Sequence, residues 1–177
     1  MDSEPIEMED FSKIILRELL APEEKLGPHK ERHREERPDA VDHFSMPVLM
    51  ERVAYLRKLA KLGDGSASET LKDYPQHAVM LLYRSRSGIA EVHERFADLF
   101  FVLDGRAALI TGGMAVNAKA IAPGEIRGDS IEGGALQELR AGDLAHVPAG
   151  VAHQMIVSGE KAISCLVLKI QQENHKQ

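Results

Sequence analysis

From residue 75 onward the chain breaks into short apolar or alternating runs punctuated by glycine, and that rhythm restricts what it can become. Segments 78–84, 90–93, 98–103, 107–111, 135–139, 143–147, 154–157 and 162–169 each read as a strand. Strands that short cannot bury a face alone, so a series at this spacing points to a closed barrel or a sandwich. The run Leu99-Phe-Phe-Val-Leu103 is apolar at every position, which demands cover on both faces. One face would line the barrel; N-terminal helices or a second subunit would cover the other.

Before about residue 65 the periodicity is helical. Phe11, Ile14, Ile15 and Leu19 follow the three-and-four spacing of an amphipathic helix that must stop near Ala21-Pro22. A second helix is expected over 47–62, started by Ser45 and Pro47, striped by Leu49, Val53, Leu56 and Ala60, and ended by Gly63. Between them residues 23–42 are dense in both signs of charge, and Gly63-Asp-Gly-Ser-Ala-Ser reads as a linker or loop. The expected organisation is therefore a helical N-terminal extension over 1–66 and a barrel over 67–177.

At 177 residues, 44% apolar and 28% charged, the chain has the size and composition of one globular domain. A net charge of -6 argues against a nucleic-acid module, which needs a basic face. No apolar run approaches the ~20 residues that span a bilayer. The acidic start Met-Asp-Ser-Glu-Pro-Ile-Glu lacks the basic and apolar stretches of a signal peptide. The lone Cys165 sits in a strand-like run and reads as a small buried hydrophobe. These features give the expectation of a cytoplasmic protein that binds neither nucleic acid nor membrane.

Two blocks carry the chemistry. The first is Gly88-Ile-Ala-Glu91-Val-His93-Glu-Arg-Phe-Ala-Asp98-Leu-Phe-Phe-Val-Leu-Asp104-Gly105; the second is Gly142-Asp-Leu-Ala-His146-Val-Pro148-Ala-Gly150-Val-Ala-His153. Alternation along a strand points Glu91 and His93 to one face. The blocks resemble the two motifs of the cupin superfamily over roughly residues 75–170. His93 falls on the second histidine position of the first motif, Glu91 on the first, and Asp98 on the glutamate, seven residues before Gly105, whose setting suggests a hairpin. The second motif matches through Gly142, Pro148, Gly150 and His153, with Val157 where the family often has asparagine. The wording around His93 is also similar to that of small single-domain bacterial cupins.

This resemblance implies an all-β jelly-roll barrel, a double-stranded β-helix, with a small-molecule ligand in its cavity; the N-terminal α-helical extension lies outside the resemblance, and the expected assembly is a homodimer. It also implies one divalent metal held by Glu91, His93, Asp98 and His153. Two carboxylates would cancel the charge of the ion, and an oxygen-rich set favours iron, manganese or zinc. If the shorter Asp98 does not reach, His93, His153 and Glu91 form a two-histidine, one-carboxylate set and Asp98 is free to act as a base. Asp98 and Glu91 are the candidate catalytic carboxylates. The function implied is a metal-dependent enzyme of oxygenase, isomerase or lyase type; the alternative is a non-catalytic cupin that binds a sugar or acid.

Other features take plainer readings. His146, Tyr83 and Met155 are expected as wall or core residues rather than catalytic groups. Segment 123–134, with four glycines, is either a long hairpin loop or a lid that brings Arg127 to an anionic substrate. His29 and His33 share a helical face but sit among Lys30, Arg32 and Arg34, which makes a solvated charged surface the simpler reading. The basic residues of the 47–62 helix accompany a stripe that would dock on the barrel itself or on a dimer mate.

Overall fold

A computed structural model describes residues 41–159 and 161–172. The helix expected around Phe11–Leu19 and the His29/His33 pair lie outside the described residues. The expected all-β architecture is present: among the described residues one helix, α1 (Met46–Leu62), precedes twelve strands, and every strand pairing is antiparallel. Among the described residues no helix is long and apolar enough to cross a membrane.

Helix α1 follows an extended Ser45, has Pro47 in its first turn and ends at Gly63. Ser45 makes no side-chain cap bond, so proline and the docked face carry the start. Leu49, Val53, Leu56 and Ala60 are buried, as their spacing required, against Leu81 and Tyr83 of β2 (His77–Arg84). Leu103 and Leu166 pack against the same cluster. The helix thus covers the outer face of the sheet behind the Leu99–Leu103 run, while Phe100 and Val102 enter the inner core. Each of the larger buried side chains contributes roughly 1.5–3 kcal/mol.

β1 (Ser66–Asp73) pairs with β2 where a linker or loop was expected. Its polar sequence Ser-Ala-Ser-Glu-Thr-Leu-Lys-Asp hides the strand, and the Arg52–Glu69 ion pair ties it to α1. β3 is Ala90–His93. β4 (Phe96–Thr111) is one strand rather than the two separate runs expected. No hairpin forms at Gly105. The chain bends there at φ +82 opposite a register shift at Ser164/Cys165, and an added Cβ would lie 2.0 Å from the Ala162 carbonyl oxygen. That bend lets β4 pair first with β10 (Leu144–Val147) and β12 (Ile163–Gln171), and then with β9 (Ala135–Arg140) and β11 (His153–Ile156).

The region between the motifs also departs from expectation. Residues 114–132 form four short strands: β5 (Met114–Val116), β6 (Lys119–Ala122), β7 (Glu125–Gly128) and β8 (Ser130–Glu132). β7 pairs with β3 over its whole length, so the segment read as a loop or lid builds barrel wall. Its four glycines masked the strands.

Candidate metal centre

Antiparallel register assembles this site. Glu91 and His93 project from β3 to the interior, and directly opposite them on β7 stand Arg127 and Glu125. His153, at the start of β11, is the register partner of Glu91 from the other side. Asp98 comes from β4 and faces its partner Lys169 on β12. His93, Asp98 and His153 are each 5% exposed or less, so whatever charge they carry must be compensated within the protein.

The contacts supply that compensation. His93 Nδ1 lies 2.6 Å from Glu125 Oε2, and His153 Nδ1 lies 3.2 Å from the Val151 carbonyl oxygen. Both oxygens only accept, so each Nδ1 donates outward and each Nε2 is left facing the interior. There the Asp98 Oδ2 lies 3.2 Å from His93 Nε2 and 3.4 Å from His153 Nε2, while Glu91 Oε2 is 3.4 Å from His93 Nε2. Asp98 Oδ1 sits 2.9 Å from Lys169 Nζ, an ion pair too oblique to count as a hydrogen bond. Arg127 reaches Glu125 at 3.0 Å and Glu91 at 3.8 Å.

Burial alone would lower the basicity of His93, but the carboxylates of Asp98 and Glu91 outweigh it and raise its pKa to about 9. Burial pushes the other way on Asp98; the two imidazoles and Lys169 overcome it and hold the carboxyl far below the usual range. Glu91 is likewise lowered against its burial, by His93 and Arg127. Cys165 shows burial unopposed. Its thiol is pushed up to about 12, which fits an inert core residue.

The donor set suits a first-row divalent ion. One donor atom each from Glu91, His93 and His153 lies within 4.8 Å of the others. Bonds of ~2.0–2.2 Å would require only modest inward movement. Outward-bound Nδ1 groups are also what ligating histidines show, because that contact fixes the tautomer and ring direction. Asp98 stands outside this group of three, and its carboxylate contacts both imidazoles. The charge balance differs from the sequence expectation. Glu91, Asp98 and Glu125 face Arg127 and Lys169, so a divalent ion would leave the centre positive rather than neutral.

The site opens on a barrel cavity of about 280 Å³. Phe100, Leu109, Met155 and Val167 give it apolar walls. Tyr83 is buried against α1 and His146 is exposed, so neither serves the cavity. Sequence reasoning named Arg127 as a lid residue and passed over Glu125 and Lys169. The alternation of Glu125 and Arg127 was the available signal, but it becomes visible only once β7 is known to pair with β3.

No family model matches the chain, and no curated protein matches it. Solved structures do. A conserved protein with a double-stranded β-helix domain from Klebsiella pneumoniae subsp. pneumoniae aligns over 74% of this chain and 90% of its own, at 17% identity and a TM-score of 0.50. The DMSP lyase DddQ from Ruegeria pomeroyi aligns over 67% of this chain and 52% of its own, at 17% identity and a TM-score of 0.46. The polyketide cyclase RemF from Streptomyces resistomycificus aligns over 62% of this chain and 68% of its own, at 15% identity and a TM-score of 0.44. At such identities the likeness speaks for the fold alone: the chain folds as a double-stranded β-helix, as its resemblance to the cupin motifs implied.

Proposed function

We propose that this protein binds one divalent ion of iron, manganese or zinc through Glu91, His93, Asp98 and His153, and acts as a small metal-dependent enzyme on an organic substrate in the barrel cavity. The observation that carries the reading is the orientation of the two imidazoles. Each Nδ1 is tied outward, to Glu125 or to Val151, and both Nε2 atoms face one carboxylate-lined point. When bound, the ion supplies a Lewis acid or a site for dioxygen. The rest is the work of the chain. Glu125 fixes the His93 ring, Arg127 steadies Glu91, and the apolar walls keep water from the reacting groups. Lys169 keeps Asp98 ionised. So held, Asp98 is a weak proton acceptor, and its part in this reading is to ligate.

One observation favours a second reading, a cupin that binds a small molecule without metal or turnover. The Asp98 carboxylate already bridges both imidazoles and Lys169, so the cluster is compensated without a cation. Elemental mass spectrometry of the purified protein decides between them. Near-stoichiometric metal in the wild type, lost in both His93→Ala and His153→Ala, supports the first reading. A wild type that holds no metal and takes up none when supplied supports the second. The homodimer expected from the sequence belongs to the same proposal and is checked by light scattering.

A further inference from the structure

Among the described residues three cationic side chains line the cavity, and one of them pairs with no carboxylate. Lys169 is paired with Asp98, and Arg127 with Glu91 and Glu125. Arg84, at the end of β2, is half-buried; its Nε is closed off from solvent without a hydrogen-bond acceptor. Among the described residues no carboxylate pairs with it. A guanidinium in this setting costs stability unless something neutralises it, and such a cost is expected where a binding group waits for its ligand.

The surroundings of Arg84 are built to admit an oxyanion. Its guanidinium lies over Gly88, where a Cβ would stand 2.6 Å from Nη1. Gly88 itself is pinned, its N–H donating to the Met155 carbonyl oxygen and its carbonyl accepting from Gln154 Nε2. Across the sheet, Ser66 is the register partner of Arg84, and Ser66 and Ser68 both line the cavity. Their spacing on β1 puts both hydroxyls on one face. This polar end and the cluster of carboxylates and imidazoles line one cavity: Gly88, beneath Arg84, precedes Glu91 by three residues, at most about 10 Å of chain. Met80 and Leu82, on the same face of β2 as Arg84, add apolar side chains to the cavity wall.

We propose that Arg84, with Ser66 and Ser68, is the carboxylate-binding end of the cavity. The ligand is then an organic acid: a carboxylate on Arg84, an apolar body along Met80 and Leu82, and its far end presented to Glu91, His93 and His153. A single guanidinium matches a carboxylate in charge and in its two-pronged geometry, whereas a phosphate dianion would call for a second cation. The inference rests on the cavity assigned under the proposed function and not on the metal.

The test uses the full chain and three probes, succinate, hexanoate and phenylacetate, each set against its neutral amide. Thermal unfolding is followed as each is titrated into wild type, Arg84→Met and Arg84→Gln, with metal content measured on the same samples. At least one acid should stabilise the wild type saturably while its amide does not. Both variants should bind that acid roughly ten- to a hundredfold more weakly, the loss of a charged hydrogen bond, with metal content unchanged. Arg84→Met should melt no lower than wild type, since it removes a charge that has no partner. Equal responses to acid and amide, equal affinity in the variants, no response to any acid, or a melting point several degrees lower in both variants would each overturn the proposal. A metal-free wild type that still binds acid through Arg84 would sink the metal reading and leave this one standing. Metal-loaded protein indifferent to all three acids would do the reverse.

Discussion

His93 is gripped by carboxylates on both ring nitrogens, Glu125 at Nδ1 and Asp98 with Glu91 at Nε2. With a pKa raised from 6.5 to about 9, it carries a proton at neutral pH in the metal-free protein. A ligating histidine must be neutral, so the ion has to displace that proton. Apparent metal affinity should therefore climb as pH rises from 6.5 toward 9, by up to about tenfold per pH unit. A competition titration against a metal-sensing dye across that range checks it; a flat profile would show that His93 gives up no proton. The metal-free fold should respond in the opposite sense. A raised folded pKa means that His93 stabilises fully below about 6.5 and that its contribution fades as pH climbs through about 9. Asp98, lowered, stabilises above its unfolded value near ~4 and loses that contribution only as pH falls. Chelator-treated protein should thus show a falling urea midpoint between pH 6.5 and 9.5. Glu125→Gln keeps the hydrogen bond to Nδ1 but removes its charge, and should weaken metal binding by roughly ten- to a hundredfold while leaving the stoichiometry intact.

Among the elements, β4 does most to place the site. It carries Asp98 in its first half and reaches both sheets because Gly105 lets it bend. Gly105→Ala meets a positive φ and the Ala162 carbonyl at once, and should cost about 2–4 kcal/mol of unfolding free energy, read from denaturant midpoints. Leu56→Ala, which opens a hole between α1 and the sheet at a residue 1% exposed, should cost about 2–5 kcal/mol by the same measurement. Its metal content should not change, because α1 touches none of the candidate ligands. What the sequence made legible divides along physical lines. The stripe of α1 and the apolar strands were readable because burial writes itself into local pattern. β1 and β5–β8 were not, because polar edge strands and glycine-rich wall strands owe their structure to pairing partners distant in the chain. The same holds at the site. Glu91, His93, Asp98 and His153 are legible through the resemblance of their two blocks to cupin motifs, in which each sits at a fixed offset from a glycine or a proline. Glu125, Arg127 and Lys169 become meaningful only through the registers of β7 with β3 and of β12 with β4.

At the scale of the whole molecule, the candidate ligands are spread over β3, β4 and β11, strands drawn from different parts of the barrel wall. An ion held by all three would cross-link the barrel in the folded state only, and any ligand of that kind raises stability by mass action. At a hundredfold excess over its dissociation constant the gain is about 2.7 kcal/mol, which for a domain of this size corresponds to a rise in melting temperature of roughly 5–10 °C. Manganese, ferrous iron under argon, and zinc, each added to chelator-treated protein, should show which ion gives the largest rise. That rise should vanish in His93→Ala and in His153→Ala, and should shrink without vanishing in Asp98→Asn, which keeps a neutral oxygen donor. An equal rise in all four proteins would place the ion elsewhere on this acidic surface. A rise lost in Asp98→Asn as completely as in the histidine variants would instead give Asp98 full standing as a fourth ligand, because only an indispensable bond would make the amide as damaging as the loss of an imidazole.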